Sequence, residues 1–176
     1  MIKIEFVNEK EPLEIQADTI KEAVEKAIIE GADLSWANLR GANLSETDLH
    51  GADLRETDLS GADLSWADLS GADLHGSNLS KTDLHGSNFS WADLKGADLS
   101  RSNIDFSCWP LRCGSLGVKI DKRIFCQLLY HALRAGQSVA DPEVKRLFKI
   151  PEVVNLANKF HRVDECGKIE VQNGKN

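Results

Sequence analysis

The chain has 176 residues, with 28 acidic and 21 basic side chains and a net charge of −7. This length suits one domain, or one domain with small additions. The sequence has no long apolar run, so we expect no transmembrane helix and no signal peptide. Four cysteines, Cys108, Cys113, Cys126 and Cys166, show no disulfide framework. We therefore expect a cytoplasmic protein with free thiols.

Residues 1–30 predict two strands followed by a helix. Apolar and polar residues alternate over 2–15 on both sides of a polar turn, which indicates a β-hairpin. Thr19 and Glu22 have the spacing of a capping box before an apolar series at helical spacing, and Gly31 marks the end of that helix. We expect this N-terminal segment to cap the open end of the structure that follows it.

Residues 31–105 consist of fifteen quintets that share one rule. Each quintet has a large apolar residue at position i, Asp or Asn at i−1, and Ala, Ser or Thr at i−2. The apolar residues are Leu34, Leu39, Leu44, Leu49, Leu54, Leu59, Leu64, Leu69, Leu74, Leu79, Leu84, Phe89, Leu94, Leu99 and Ile104. A period of five places successive side chains about 140° apart on a helix and on alternate faces of a strand, so neither element can bury them all. A chain that turns a corner in every quintet can bury all of these apolar side chains.

This quintet resembles the A(D/N)LXX motif of the pentapeptide repeat family, and the resemblance covers residues 31–105 without interruption. The resemblance implies an all-β solenoid, a right-handed quadrilateral β-helix of about four coils, with about four quintets in each coil. At ~4.8 Å per coil the solenoid would be ~18 Å tall. Some members of the family mimic DNA and bind type II topoisomerases, so the resemblance also implies that class of partner.

At four quintets per coil, the i−1 residues form four columns, and one column is acidic throughout. This acidic column contains Asp33, Asp53, Asp73 and Asp93, whereas the other three columns mix Asp with Asn. Carboxylates stacked ~5 Å apart repel each other by about 1 kcal/mol in water, so this repulsion must be offset. We consider two reasons for Asp here: it accepts a backbone N–H bond at its corner, as in an Asx turn, or it forms an acidic face that binds a partner.

The i+1 and i+2 residues are expected to face outward. Gly recurs at i+2, where a corner with positive φ favours glycine. The phase of this recurrence changes near residue 75, and we consider that the change marks a second type of corner. Trp36, Trp66 and Trp91 also occupy i+2, but on three different faces. We expect the three indoles either to lie over small neighbours or to act as contacts for a partner.

No group of residues in the sequence is predicted to do chemistry. His50, His75 and His85 fall on three faces, too far apart to share a metal ion. Cys108 and Cys113 are separated by four residues and have no second pair of ligands. We therefore predict no catalytic residue, no metal site and no cofactor, and we expect that the protein is not an enzyme.

The chain after the repeat divides into an irregular exit at 106–117, a helical module at 118–162 and a flexible tail at 163–176. The apolar series of the first helix is Ile120, Ile124, Phe125, Leu128, Leu129, Ala132 and Leu133, and Pro151 begins a further helix. The module is too small to be stable alone. We expect it to cap the last coil or to form a homodimer with a second chain. Its basic side chains are interleaved with apolar ones, so direct nucleic-acid binding is not expected.

The net charge is −4 over residues 1–30, −8 over the repeat and +5 over 106–176. We predict a non-catalytic protein–protein interaction scaffold of unknown partner, with the acidic surface of the repeat as its display face. The candidate contacts are the acidic column and the three tryptophans. The alternative is a DNA mimic that binds a DNA-handling enzyme such as a type II topoisomerase. Duplex DNA carries about 10 charges over ~18 Å, which is close to the charge of the repeat, although ~18 Å is only about half a DNA turn.

Overall fold

The computed structural model describes residues 1–108, 118–121, 124–126, 128–130, 133 and 150–158. The chain forms two compact units, Met1–Ile120 and Asp121–Asn176. The flexible tail predicted at 163–176 lies outside the described residues, as does most of the irregular exit.

The first unit begins with a small sheet and a helix. Strand β1 (Ile2–Phe6) pairs antiparallel with β2 (Leu13–Ile15) and with β3 (Ala37–Asn38), so the strand order is β2-β1-β3. Helix α1 (Ile20–Ile29) lies between β2 and β3 in the chain. Because β3 belongs to the first quintets, main-chain hydrogen bonds connect the N-terminal segment directly to the repeat.

Both ends of α1 are capped. The Thr19 hydroxyl accepts a hydrogen bond from the N–H of Glu22 at 3.1 Å, and the Glu22 carboxylate accepts one from the N–H of Asp18 at 2.9 Å. Two N–H groups at the start of the helix are thereby satisfied. After the last turn, Gly31 has a φ of 69° and donates its N–H to the carbonyl of Ile28. This left-handed residue turns the chain into the first quintet.

The repeat forms a solenoid in which parallel bridges join residues 20 positions apart. Asn38 pairs with Asp58, which pairs in turn with Asn78, and the same spacing holds for the other columns. The N–H groups of most inward residues donate across this ladder, for example from Leu39 to the carbonyl of Asp58 at 2.8 Å. A separation of 20 residues corresponds to four quintets, so the columns drawn from the sequence are the ones that the structure contains.

The core of the solenoid is the stack of apolar residues at position i. All fifteen are buried, with at most 2% of their surface exposed, and the Ala residues at i−2 fill much of the space between them. Several i−2 positions hold Thr or Ser, which are also buried. Their hydroxyl groups donate to backbone carbonyls, as from Thr47 to Leu44 at 2.6 Å and from Thr57 to Leu34 at 3.1 Å. These buried polar groups are therefore satisfied.

Every corner of the solenoid uses the same left-handed backbone conformation. The i+2 glycines have φ of 65–74°, and the non-glycine residues at i+2 have φ of 55–65°. The change in glycine phase near residue 75 therefore does not mark a second type of corner. At two of the corners space requires glycine, because a Cβ at Gly76 would collide with the carboxylate of Glu56, and one at Gly86 would lie 2.6 Å from a ring carbon of Trp66. Other corners hold bulky residues in successive coils, as Trp36 and Glu56 do.

The ladder continues beyond residue 105, where the sequence predicted that the repeat ends. Phe106 has the corner conformation, with a φ of 59°, and Cys108 pairs with Asn88. Lys119 then pairs with Asp98. Cys108 and Lys119 are eleven positions apart, whereas their partners Asn88 and Asp98 are ten positions apart. The sequence between Cys108 and Lys119 is therefore one residue longer than two quintets.

In the second unit, residues 124–126, 128–130 and 133 are helical, and α2 is Pro151–Ala157. Tyr130, Leu133, Val154 and Ala157 form a buried cluster. Phe125 was assigned to the apolar face by its spacing, but it is 45% exposed, and its neighbour Cys126 is buried. The predicted apolar face is therefore correct at Ile124 and Leu133, which are buried, and wrong at Phe125. Docking of the module, on the last coil or on a second chain, stays a prediction.

No helix within the described ranges has the length and apolar character needed to cross a membrane.

Candidate interaction surfaces

The Asp and Asn residues at i−1 each close their own corner. In all fifteen quintets, a side-chain oxygen of this residue accepts a hydrogen bond of 2.9–3.3 Å from the N–H two positions later. Within the acidic column, Asp33 accepts from Ser35, and Asp73 accepts from His75. The hypothesis that these residues form Asx turns is confirmed.

Basic side chains compensate much of the charge of the acidic column. The Arg55 guanidinium donates to both carboxylate oxygens of Asp53, at 2.7 and 2.5 Å, and its Nε lies 3.8 Å from a carboxylate oxygen of Asp73. Lys10, from the N-terminal segment, has its Nζ 3.1 Å from Asp33 Oδ2. The repulsion between stacked carboxylates is therefore reduced by ion pairs within and between coils. The role of this column in binding a partner stays a prediction.

These contacts also keep the carboxylates ionised. Hydrogen bonds from the side chain and the N–H of Ser35, and then from Lys10, lower the pKa of Asp33 to about 2. The guanidinium of Arg55 lowers the pKa of Asp53, although partial burial acts in the opposite direction. Both groups are negatively charged at neutral pH.

The mixed columns reduce the repulsion in a different way. Asn side chains donate to the Asp of the preceding coil, from Asn78 to Asp58 at 3.2 Å and from Asn103 to Asp83 at 3.0 Å. An amide placed between two carboxylates replaces a repulsive contact with a hydrogen bond. At these positions Asn thus serves the mixed columns as Arg55 serves the acidic column.

Charge is distributed unequally among the four columns when the i+1 and i+2 side chains are included. The quintets of the acidic column carry −3, and those of the Asp48 column carry −2. The quintets of the Asn43 column carry −4, from Glu46, Asp63, Asp83 and Asp105, and contain no Lys or Arg. The quintets of the Asn38 column carry +1. The most acidic part of the solenoid is therefore not the column that the sequence singled out.

Three aromatic side chains stack along this most acidic part. The ring centroids of Trp66 and His85 are 5.3 Å apart, as are those of His85 and Phe106, and both pairs are edge-to-face. The Trp66 side chain lies over Gly86, yet 61% of Trp66 and 67% of Phe106 remain exposed. We call Trp66, His85 and Phe106 the aromatic corner.

Sequence reasoning missed the aromatic corner. It treated Trp66 as one of three dispersed tryptophans and placed Phe106 in the irregular exit. The available signal was the spacing, because residues 66, 86 and 106 occupy one corner position in successive coils. Trp36 and Trp91 lie at two other corners, with 40% and 70% of their surface exposed, so the structure does not bring the three tryptophans together.

The remaining candidate residues are also dispersed. His50 Nδ1 lies 2.9 Å from the Ser70 hydroxyl, away from the aromatic corner. Among the described residues, no three His, Cys, Asp or Glu side chains are grouped so that they could hold a metal ion. Cys108 is an exposed free thiol and Cys126 a buried one, whereas Cys113 and Cys166 lie outside the described residues.

Comparisons with known proteins identify a family model and several solved structures that are similar to this chain. The family model for pentapeptide repeats matches residues 27–65 and 62–101, with eight copies. A pentapeptide repeat protein from the Arabidopsis thaliana thylakoid lumen is 27% identical over 58% of this chain and 79% of its own, with a TM-score of 0.51. Rfr23 from the cyanobacterium Cyanothece 51142 is 41% identical over 52% of this chain, with a TM-score of 0.44. A pentapeptide repeat protein from Nostoc Pcc 7120 is 30% identical over 58% of this chain and 96% of its own, with a TM-score of 0.30.

The match to Rfr23 covers 58% of the length of that protein. A search of curated proteins found no significant match. The repeat copies and the thylakoid-lumen structure identify the solenoid as a right-handed β-helix. On its fifteen in-phase quintets, its ladder of 20-residue steps and these matches, the chain belongs to the pentapeptide repeat family.

Proposed function

We propose that this protein is a non-catalytic scaffold that binds a partner protein at the aromatic corner. The observation that carries the proposal is the pair of large, exposed rings of Trp66 and Phe106, held edge-to-face against His85. Exposed aromatic residues are the side chains most often found as anchors of protein interfaces.

The backbone supports this role because it holds the aromatic corner in place. The N–H of Trp66 donates to the carbonyl of His85 at 2.8 Å, and the N–H of Gly86 donates to the carbonyl of Asp105 at 2.8 Å. Consecutive coils are thus hydrogen-bonded at this corner. A surface that is ordered before binding loses little conformational entropy when a partner docks.

The charge around the aromatic corner indicates the chemistry of the partner. The quintets of its column contribute four carboxylates and no Lys or Arg. An arginine or lysine side chain from a partner could stack on the Trp66 ring and pair with these carboxylates. We therefore propose a partner that presents a basic segment. The helical module of a second copy of the chain is one such segment, since residues 106–176 carry +5.

We further propose that residues 1–30 cap the first coil of a solenoid of about four coils. The pairing of β1 with β3 supports this role. So does Lys21, whose Nζ donates to the carbonyls of Ser45 and Glu46 at 2.8 and 3.0 Å. These contacts join α1 to the chain of the first coils and would shield the backbone groups at the open end.

The alternative function, mimicry of DNA, requires a surface of continuous negative charge. The cations of Lys10 and Arg55 lie against the acidic column, and the quintets of the Asn38 column are net positive. These observations favour the scaffold. Binding to a topoisomerase stays a prediction that rests on the family resemblance.

The test compares glycine substitutions at two corners. Trp66→Gly and Phe106→Gly remove the exposed rings, and glycine suits the positive φ of both positions. Trp91→Gly is the matched control, because Trp91 is 70% exposed and has a φ of 65° at another corner. We expect a partner captured by the wild-type chain to be retained by Trp91→Gly and lost by the other two variants. Equal capture by all the variants would rule out the aromatic corner as the contact.

A further inference from the structure

The corner of the Asn38 column contains an open groove of about 350 Å³. Arg40 and Lys81 line this groove together with Gly41 and Gly61, which have no side chains to fill it. We call this the basic groove. We propose that the basic groove binds a small anion of the diphosphate class, a function separate from the scaffold role.

The two cations of the basic groove are available to a ligand. Within the part of the chain that the structure describes, neither the Arg40 guanidinium nor the Lys81 ammonium forms an ion pair or a hydrogen bond. By contrast, Arg55 and Lys10 are each paired with a carboxylate. Lys81 also occupies a corner with a φ of 62°, a conformation in which a side chain carries a steric penalty. The charges of Arg40 and Lys81 therefore form no ion pair that stabilises the described fold.

The polar side chains that line the groove beside the cations are uncharged. The Ser60 hydroxyl lines the groove, is shielded from solvent and has no hydrogen-bond partner among the described residues. Asn78 also lines the groove and uses its Nδ2 to donate to Asp58 at 3.2 Å. The nearby Asp58 carboxylate already accepts from this amide and from the N–H of Ser60 at 2.9 Å.

The spacing of the cations indicates the size of the anion. Arg40 and Lys81 are two coils apart, which corresponds to ~10 Å along the solenoid at ~4.8 Å per coil. Their long side chains can close on a diphosphate from both ends, and this longer anion needs less reach from each side chain than one phosphate ion does. A guanidinium binds two oxygens of one phosphate in a fork, and an ammonium serves as a point charge for the other phosphate.

The test is calorimetric titration of the full-length chain with inorganic pyrophosphate at low ionic strength. We expect saturable binding at one site, weakened at least tenfold by Arg40→Gln and by Lys81→Gln. Inorganic phosphate should bind at least tenfold more weakly than pyrophosphate. Lys95→Gln is the matched control, because Lys95 is exposed in the acidic column and its loss changes the net charge by the same amount. Circular dichroism of each variant verifies that the fold is intact.

A second variant tests the groove separately from its charge. Gly61→Asn keeps both cations and places a side chain in the groove, and Asn tolerates the left-handed conformation of this position. We expect it to abolish pyrophosphate binding. Absence of saturable heat with the wild-type chain, unchanged binding by Gly61→Asn, or equal weakening by Lys95→Gln would each overturn the proposal. Competition by ADP would assign the diphosphate to a nucleotide, and binding of pyrophosphate alone would assign it to the free ion.

Discussion

Arg55 allows an unbroken column of aspartates to stack along the solenoid. Its guanidinium is bonded to both carboxylate oxygens of Asp53 and lies 3.8 Å from the carboxylate of Asp73 in the next coil. Arg55→Met removes the charge and keeps most of the aliphatic length of the side chain. We expect the free energy of unfolding to fall, because two carboxylates of adjacent coils then face each other without a cation.

The structure sets the size of this loss. The side chains of Arg55, Asp53 and Asp73 are 50%, 37% and 45% exposed, so solvent screens the pair strongly. An exposed ion pair contributes ~0.2–1 kcal/mol, and the bidentate geometry places this pair near the upper end. The guanidinium also attracts the Asp73 carboxylate at 3.8 Å, and this lost attraction is similar in size to the repulsion that it offsets, about 0.9 kcal/mol for carboxylates ~4.8 Å apart in water. We therefore expect Arg55→Met to cost about 1–2 kcal/mol.

Urea unfolding, followed by circular dichroism, measures this difference. In ~1 M NaCl, where the Debye length is ~3 Å, the cost should fall by about half or more. Arg40→Met is the matched control, since Arg40 forms no ion pair among the described residues, and it should change stability by less than about 0.5 kcal/mol. Asp73→Asn in the Arg55→Met background should restore stability, because an amide can donate to Asp53. The reasoning is refuted if Arg55→Met is no less stable than Arg40→Met, or if its cost is the same in high salt.

Three further predictions concern the corner, the carboxylates and the core. Gly86→Ala should destabilise the chain by about 2 kcal/mol in urea unfolding, because the new Cβ would lie 2.6 Å from the Trp66 indole at a φ of 68°. Gly96→Ala should cost less, because the nearest contact of its Cβ is at 3.8 Å. Equal costs for the two variants would contradict the steric account. The pKa of Asp33 is about 2 in the folded chain and higher when unfolded, so its stabilising effect is present above about pH 4 and is lost as the pH falls towards 2. Lys10→Met should reduce this loss in unfolding experiments across that pH range, and an unchanged acid profile would contradict the assignment. Phe89→Ala should cost about 3–5 kcal/mol, because Phe89 is fully buried in the stack; a cost under about 1 kcal/mol would show that the core collapses around the cavity.

The predictions that succeeded from sequence depend on interactions within one or two quintets. The burial of the apolar residues, the Asx turn at each i−1 residue and the positive φ of the corner glycines all follow from a rule of five residues. The prediction from sequence was wrong after residue 105, where the residues no longer match the five-residue pattern of the quintets. Phe106 and Cys108 continue the ladder, but the irregular residues after them led the prediction to end the repeat at residue 105.

The sequence by itself determined the solenoid, because only a chain that turns in every quintet can bury an apolar residue with a period of five. The tertiary structure decided how side chains of successive coils meet. It placed Arg55 between Asp53 and Asp73, and it set the indole of Trp66 over Gly86. Arg55 and Asp73 are 18 positions apart in the chain, and Trp66 and Gly86 are 20 positions apart. Their contacts depend on side-chain rotamers in neighbouring coils, which a local pattern of five residues does not specify.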